Sequence, residues 1–312
     1  MSALPGMEHY PGASEIDAWC DDLWALAART ACTAGVLADS PGRFAYGVRH
    51  AKNAAYVKFV PEGPESLPPF HGYWQPAAAG PAPLLVHVPG YGAEMSAHPE
   101  LVAQGFNVLH VSPLGYATPQ GPDESKKKDG NWPVLPETAR SGGREGYRHW
   151  LTEVILAVRW ALEQEKVLKN RVSFFGTSQG GGTALLLGSL YKGRGARCVA
   201  ADVPFLINFP LAYSKANQGA YGLIGKGLSD SPAPALAWRA IGTVDTLSHA
   251  HRLDLPVLLT AGEQDGTCPP DTIESLFAKL PGTKSYTLLK SQGHDYTGPF
   301  LQQAAAWFRL WA

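Results

Sequence analysis

The stretch "RVSFFGTSQGGGTALLLGSLY" (171–191) decides the fold, because it sets a serine between two glycines where one apolar run ends and another begins. "RVSFF" is typical of a buried strand and "TALLLGSLY" of a buried helix. Gly176 and Gly180 remove side chains that would collide across the sharp turn between them. A G-x-S-x-G turn in this context lifts the serine hydroxyl above the sheet, which makes Ser178 a candidate nucleophile. The structural alternative is an ordinary serine at a helix N-cap.

Short strand-like segments alternate with helical ones along the whole chain. The clearest helix spans 145–167, where apolar residues recur at helical spacing, and further helices are predicted near 98–105, after Ser178, at 271–280 and at 299–311. Eight strands are predicted, at 54–60, 70–76, 83–92 (up to its Pro-Gly turn), 106–112, 171–176, 196–203, 255–262 and 284–291. This alternation predicts a mainly parallel eight-stranded sheet with helices on both faces.

We interpret residues 1–312 as a single domain. Three of its segments do not follow the alternation of strands and helices. Residues 1–50 form an N-terminal extension, and residues 113–144 and 204–250 are long insertions rich in glycine and proline. Long irregular segments in a compact domain are functional or mobile. We therefore expect both insertions to be cap-like and to lie near the active site.

Composition narrows the range of partners. The formal net charge is −1, with 26 basic and 27 acidic residues, so no electrostatic attraction to nucleic acid or to an anionic membrane is expected. No apolar run is long enough for a membrane span, and the first residues do not resemble a secretory signal, so we expect a cytoplasmic protein. The four cysteines lack metal-ligand spacing, so neither a zinc site nor disulfides are expected. A small, uncharged molecule is the expected partner.

Two later residues complete a candidate catalytic set. In the α/β-hydrolase arrangement the nucleophile is followed by an acid after a later strand and by a histidine after the last strand. Asp265 follows "LPVLLTAGEQ" and His294 follows "KSYTLLKSQG", each just past a predicted strand. Either residue alone is explained as well by a turn cap or a surface loop. Together with Ser178 they predict a Ser-His-Asp triad on an α/β-hydrolase fold.

Acyl transfer also requires donors for a developing oxyanion. The N–H of Gln179, at the start of the helix after Ser178, is one expected donor. The "PGYG" turn (89–92) offers the second, the N–H of Tyr91, although a plain glycine turn is the alternative.

Several longer stretches resemble one esterase family. They are "IDAWCDDLWALA" (16–27), "HVPGYG" (87–92), "GTSQGGG" (176–182), "ADVPFLINFP" (201–210), "GEQDGTCPP" (262–270) and "GHDY" (293–296). Together they resemble the acetyl xylan esterase and cephalosporin C deacetylase family of α/β-hydrolases, over most of the chain. The resemblance implies a cofactor-free deacetylase of small acetylated sugars or related esters. It makes Ser178 the nucleophile, Asp265 the acid and His294 the base, with the Tyr91 and Gln179 amides as the oxyanion hole.

The chain departs from the family pattern at three places. "SPLGY" (112–116) stands where the family has Arg-Gly-Gln, Asp295 follows the base where a glutamate is usual, and Pro89 replaces a common histidine. The triad is unaffected by these changes. The natural substrate stays open, as does the ring-shaped hexamer of the family, which would make the chain a homo-oligomer.

Other functions of the same framework remain open from the sequence. An acyltransferase would use the same triad with an alcohol or thiol acceptor, a lipase-like enzyme would need a broad apolar lid, and a non-catalytic binding protein would normally lack a triad residue. We expect a short acyl group, because the "DGTCPP" loop (265–270) and aromatic residues of the insertions are candidates to crowd the site, although each aromatic residue taken alone is more often a core or interface residue. The aromatic residues are Tyr116, Trp132, Tyr213, Tyr221 and Trp238. Cys268, just after the acid, is interpreted as a packed loop residue.

Overall fold

A nine-stranded sheet forms the centre of the computed structural model, which describes residues 4–37, 54–215, 219–295 and 298–312. The strands are β1 (Ala31–Leu37), β2 (Ala55–Glu62), β3 (Phe70–Gln75), β4 (Ala82–His87), β5 (Asn107–Ser112), β8 (Val167–Thr177), β9 (Ala196–Asp202), β10 (Val257–Gly262) and β11 (Lys284–Leu289); β6 (Ala117–Thr118) and β7 (Gly121–Pro122) form a separate ribbon. The order across the sheet is β1-β2-β3-β5-β4-β8-β9-β10-β11. Neighbours from β5 to β11 are parallel, and those from β1 to β5 are antiparallel.

Helices connect the parallel strands and cover both faces of the sheet. They are α1 (Ala13–Arg29), α2 (Pro99–Ala103), α3 (Val134–Ser141), α4 (Glu145–Glu163), α5 (Gln179–Leu190), α6 (Phe209–Lys215), α7 (Gly219–Ser229), α8 (Pro234–Val244), α9 (Pro270–Lys279) and α10 (Gly298–Trp311). The predicted α/β-hydrolase fold, with its mainly parallel sheet, is confirmed.

The predicted count of eight strands is wrong, because the segment 1–50 contributes a ninth. Strand β1 pairs antiparallel with β2, with Ala31 opposite Glu62 and Leu37 opposite Tyr56. Its sequence, "ACTAGVL", contains alanine and glycine, which are weak strand formers, so pairing with β2 rather than local preference determines its conformation. Residues 38–53 of this segment lie outside the described residues.

The alternation of side chains along the central strands divides the core into two layers. In β8, Phe174 belongs to the larger layer, which includes α4 and α5, whereas Phe175 belongs to the smaller layer with α2 and α10. This two-residue period is what a sheet covered on both faces requires. Helix α5 is buried on every side, as expected for a helix that is apolar all round. The strand that leads to Ser178 and the helix that follows it are therefore both held in the core.

The two predicted insertions meet above the sheet. Residues 113–144 contain the β6–β7 ribbon and α3, and residues 204–250 contain α6, α7 and α8. Helix α3 packs against both α7 and α8. Within the described ranges, no helix combines the length and apolar character needed to cross a bilayer.

Candidate active site

Ser178 stands at the sharp turn between β8 and α5. Its φ is +59° and its ψ is −123°, a backbone conformation that a residue with a side chain rarely adopts. The turn is fixed on both sides, because the Ser178 N–H donates to the main-chain oxygen of Asp202 at 2.9 Å and the Ser178 carbonyl accepts from the N–H of Phe205 at 2.8 Å. This is the strained strand-to-helix geometry that the G-x-S-x-G motif predicts for a nucleophile lifted above the sheet.

Two glycines allow this turn to pack tightly. A Cβ on Gly176 would lie 2.5 Å from the carbonyl carbon of Gly180, and a Cβ on Gly180 would lie 2.4 Å from the carbonyl oxygen of Val88. Both contacts are with backbone atoms, which cannot move aside as a flexible side chain can. The glycines therefore let α5 approach β8 and the loop after β4 directly.

The structure brings the three predicted triad residues into one hydrogen-bonded chain. Nε2 of His294 lies 3.0 Å from Oγ of Ser178, and Nδ1 of His294 lies 2.8 Å from Oδ2 of Asp265. We assign the ring proton to Nδ1, so that Nδ1–H donates to the carboxylate and Nε2 accepts from the serine hydroxyl. The Asp265 side chain is fully buried, whereas the His294 side chain is 22% exposed. The acid is thus shielded from water, whereas the histidine is partly accessible to it.

The loop after β10 holds Asp265 in place. The Oδ1 atom that His294 does not use accepts from the backbone N–H groups of Thr267, at 2.8 Å, and Cys268, at 2.7 Å. The carboxylate therefore keeps one orientation, with Oδ2 directed at the imidazole. In the segment "DGTC" (265–268), the chain turns so that the N–H groups two and three residues after Asp265 point back at its side chain, which is a turn that aspartate favours.

The two residues expected to donate to the oxyanion lie near Ser178. Tyr91 and Gln179 line the same cavity as the serine. No turn, loop or cap hydrogen bond among the described residues uses the N–H of either residue, so both amides stay candidates for an incoming oxygen. The Gln179 side chain turns away, and its Nε2 donates to the hydroxyl of Tyr147 on α4 at 3.1 Å. Tyr147 lies within the helix predicted over 145–167, and nothing in the sequence indicated this contact with the active site.

The loop that carries Tyr91 packs against the first insertion. Gly92 has φ +116°, and a Cβ there would lie 2.5 Å from Nε1 of Trp132. The hydroxyl of Tyr91 accepts from the N–H of Trp132 at 3.0 Å. Glu94 lies on the same loop, where burial raises the pKa of its carboxyl group and the N–H of Gly90 opposes part of that rise. The absence of a side chain at Gly92 therefore allows the indole ring of Trp132 to lie against the backbone of this loop.

The cavity beside Ser178 is small and apolar. Its volume is about 20 Å³, close to the space that a single water molecule needs. It is lined by Tyr91, Leu135, Pro136, Ser178, Gln179, Phe205, Ala220, Leu223 and Ile224. The five aromatic residues expected to crowd the site are absent from this lining. Four of them are buried in the core, namely Tyr116, Trp132, Tyr221 and Trp238, and Tyr213 is 38% exposed.

Comparison with known proteins identifies the family. A family model described as acetyl xylan esterase (AXE1) matches residues 70–310, which is most of the chain. The chain belongs to the acetyl xylan esterase family. It is therefore a carboxylic ester hydrolase, and the resemblance that the sequence indicated is confirmed.

Solved structures agree with this fold. An acetyl xylan esterase from Paenibacillus sp. R4 has a TM-score of 0.74 at 22% identity, covering 100% of both chains. Acetyl xylan esterase 1 from Thermoanaerobacterium sp. JW/SL YS485 has a TM-score of 0.75 at 18% identity, covering 96% of this chain and 94% of that one. Est1E from Butyrivibrio proteoclasticus has a TM-score of 0.53 at 15% identity, covering 78% of this chain and 93% of that one. At such identities these similarities show a shared fold.

A second carboxyl group lies close to the triad of this esterase, and sequence analysis did not single it out. Asp202 ends β9, where its Oδ1 accepts from the Thr260 hydroxyl at 2.5 Å and its Oδ2 accepts from the Thr177 hydroxyl at 3.2 Å. Burial raises the pKa of Asp202 to about 6, against the opposing effect of these hydrogen bonds and of the His294 charge. An aspartate just after a strand is common at turns, so its position alone carried no signal.

Cys268 is packed against the triad, as a loop residue in the predicted position. The residue is fully buried, and the neighbouring Ser178 side chain opposes part of the rise in the pKa of its thiol. Burial, with the neighbouring Asp265 charge, raises the pKa of this thiol well above its usual range. Ligand atoms of Asp265, Cys268 and His294 lie within 4.8 Å of one another. A metal ion there would compete for the same carboxylate and imidazole that form the hydrogen-bonded chain.

Proposed function

We propose that this protein is a serine esterase that removes short acyl groups, above all acetyl, from small acetylated sugars or related esters through a covalent acyl-enzyme. The observation that carries the proposal is the hydrogen-bonded chain from Ser178 through His294 to Asp265. Family membership supports an ester substrate. Two similar structures are named acetyl xylan esterases, which supports an acetylated sugar.

Acylation begins with proton transfer from the nucleophile. Nε2 of His294 takes the proton of the Ser178 hydroxyl as Oγ attacks the ester carbonyl carbon, and the carbonyl electron pair moves to the oxygen. Asp265 holds the imidazole in the required tautomer and stabilises the imidazolium. The amides of Tyr91 and Gln179 donate to the oxyanion. When the intermediate collapses, the bond to the alcohol oxygen breaks, and His294 returns the proton to the leaving alcohol.

Deacylation repeats these steps with water as the nucleophile. His294 accepts a proton from water as its oxygen attacks the acyl carbon, and the oxyanion forms in the same place. Collapse then breaks the bond to Oγ, and the proton on His294 restores the serine hydroxyl while the carboxylic acid leaves. No step oxidises or reduces the substrate, so the proposed mechanism uses only residues of this chain and no cofactor.

The size of the cavity supports a short acyl group. A volume of about 20 Å³, enough for about one water molecule, suits a methyl group better than an extended acyl chain. Its lining by Phe205, Leu223 and Ile224 suits an apolar methyl. The hydrogen-bonded hydroxyl of Ser178 then lies at the polar end of an otherwise apolar space. An acetyl ester fits this arrangement better than a fatty acyl ester.

Labelling and substrate length test the proposal together. A fluorophosphonate probe is expected to label the purified protein at Ser178, and Ser178→Ala is expected to abolish labelling and lower kcat on p-nitrophenyl acetate by about 10⁴-fold or more. In a series of p-nitrophenyl esters, acetate is expected to have the highest kcat/KM and octanoate the lowest. Equal labelling of wild type and Ser178→Ala, or a preference for octanoate, would refute the proposal.

Product analysis separates hydrolysis from acyl transfer. When wild type cleaves p-nitrophenyl acetate in the presence of a sugar alcohol or a thiol as a competing acceptor, free acetate is the expected product. Acetylated acceptor as the main product would identify an acyltransferase that uses the same residues.

A further inference from the structure

A polar groove lies beside the small catalytic cavity, between the two insertions. Its volume is about 490 Å³, within the range of small-molecule sites. The groove runs between α3 and α7 and is lined by Lys128, Asp129, Asn131, Pro133, Pro136, Glu137, Arg140, Leu223, Lys226, Gly227 and Asp230. We call it the α3/α7 groove. Pro136 and Leu223 line both the groove and the catalytic cavity, so the two spaces share a wall.

The lining of the α3/α7 groove is charged but balanced. Three cations face three carboxylates: Lys128, Arg140 and Lys226 against Asp129, Glu137 and Asp230. Lys128 and Glu137 already form an ion pair. An excess of one sign would indicate a ligand of the opposite charge, whereas this balance indicates a neutral ligand rich in hydrogen-bonding groups.

Part of this polar lining has no partner in the protein. Among the residues that the structure describes, Arg140, Lys226 and Asp230 make neither a side-chain hydrogen bond nor an ion pair. Arg140 and Lys226 offer only donors, whereas Asp230 offers only acceptors. Hydroxyl groups both donate and accept, so a polyhydroxylated molecule satisfies both kinds of group at once.

Tyr91 connects the groove to the reaction centre. Its hydroxyl donates to Oδ1 of Asn131 at 3.4 Å and accepts from the N–H of Trp132 at 3.0 Å. Asn131 lines the groove, whereas Tyr91 lines the catalytic cavity with Ser178. An ester carbonyl at Ser178 therefore has a methyl-sized apolar space on one side and a large polar groove nearby. The two parts of an acetylated sugar differ in the same respects, since the acetyl group is small and apolar and the sugar is large and polar.

We propose that the α3/α7 groove binds the alcohol part of the substrate, a neutral carbohydrate larger than the acetyl group it carries, and that Arg140, Lys226 and Asp230 bind its hydroxyl groups. This inference rests on the proposed function, since it assigns the second half of the same ester. It adds a specificity site, made by residues of both insertions, that lies outside the catalytic residues.

The ratio of two specificity constants tests the groove. kcat/KM is measured for acetylated xylobiose and for p-nitrophenyl acetate in wild type, Arg140→Ala, Lys226→Ala and Asp230→Asn. Each groove variant is expected to lower the ratio of sugar ester to aryl ester by about fivefold, the equivalent of one lost hydrogen bond. Lys58→Ala, which removes an exposed cation from β2, is the matched control and is expected to keep the wild-type ratio.

Binding without turnover provides a second readout. Calorimetric titration of Ser178→Ala with acetylated xylobiose gives a Kd, which is expected to weaken about fivefold when Arg140→Ala or Lys226→Ala is added. Unaltered melting temperatures exclude unfolding as the cause. A ratio and a Kd that do not change in the groove variants would overturn the inference.

The two proposals fail in different ways. If wild type does not cleave p-nitrophenyl acetate, the proposed function fails, and the groove inference fails with it. If wild type cleaves p-nitrophenyl acetate, but acetylated xylobiose neither binds to Ser178→Ala nor is cleaved, the groove inference alone is refuted.

Discussion

The main-chain oxygen of Asp202 accepts the N–H of Ser178 at 2.9 Å, so a buried carboxyl residue and the candidate nucleophile are joined through the backbone. The carboxyl group of Asp202 accepts from Thr177, the residue directly before the serine, and from Thr260 on β10. Three neighbouring strand ends are thus tied together at the turn. The raised pKa of Asp202, about 6, shows that this arrangement is costly when the group is ionised.

Asp202→Asn is expected to change how stability depends on pH. Because the folded-state pKa of Asp202 is about 6 and its unfolded value is 3.8, the folded state binds more protons between these values. The contribution of Asp202 to the free energy of unfolding of wild type is therefore greatest below pH 4, falls as pH rises to about 6, and levels off above that. Asparagine does not ionise, so the free energy of unfolding of Asp202→Asn relative to wild type should rise by about 1 to 3 kcal/mol from pH 4 to pH 7.

Urea unfolding at a series of pH values measures this difference. Asp21→Asn, which alters an exposed side chain of α1, is the control and should follow the wild-type pH profile. A difference between Asp202→Asn and wild type that stays constant from pH 4 to pH 7 would show that the carboxyl group is not buried as described.

Asp265→Asn is expected to lower kcat on p-nitrophenyl acetate by about 10³- to 10⁴-fold, because an amide no longer stabilises the imidazolium or selects the tautomer of His294. The circular dichroism spectrum should stay that of wild type. Asp295→Asn is the matched control, since Asp295 adjoins the histidine but is exposed. If Asp295→Asn lowered kcat as much as Asp265→Asn, the assignment of Asp265 as the acid of the triad would be contradicted.

Gly180→Ala is expected to impair both stability and activity. The new Cβ would lie 2.4 Å from the carbonyl oxygen of Val88 and 2.7 Å from that of Pro89, so backbone must shift. Overpacking of this kind costs about 1 to 3 kcal/mol, which thermal unfolding detects, and displacement of the loop before Tyr91 should lower kcat. At Gly35 in β1 a Cβ meets nothing within 4 Å, so Gly35→Ala should retain the wild-type kcat. Wild-type kcat and melting temperature in Gly180→Ala would contradict the described contact.

Thiol alkylation is expected to spare the active site. Burial raises the pKa of Cys268 well above its usual range and leaves no exposed surface, so iodoacetamide at pH 7.5 should not alter kcat. Cys32 is only half-buried, so peptide mass spectrometry should find it modified first, slowly, because burial raises its pKa to about 11. Rapid inactivation of the native enzyme with label on Cys268 would show that this thiol is accessible.

Features that depend on a few consecutive residues could be predicted from the sequence. The turn around Ser178 needs a strand, two glycines and a helix in immediate succession, and "RVSFFGTSQGGG" supplies all three. Asp265 and His294 could be placed because strand ends in a parallel sheet meet at one edge, so order along the chain indicates position in space. For the same reason the parallel part of the sheet followed from the alternation of strands and helices.

Features that depend on tertiary contact could not be predicted in this way. Strand β1 exists through its pairing with β2, and the role of Asp202 depends on Thr177 and Thr260, which are far apart in sequence. The α3/α7 groove requires two insertions that are separated in sequence by α4, β8, α5 and β9. The insertion aromatics show the same limit, since the sequence left both crowding of the active site and burial in the core open for Tyr116 and Trp132, and the tertiary contacts place both in the core.

The close approach of Gly180 to the carbonyls of Val88 and Pro89 has a consequence for engineering. Because backbone packs directly against backbone there, no side chain separates the turn after β8 from the loop after β4 at this contact. Arg140, Lys226 and Asp230 are not part of this contact, since they line the α3/α7 groove. Libraries that randomise these three positions can therefore be screened for new alcohol preferences while the reactive centre keeps its dimensions.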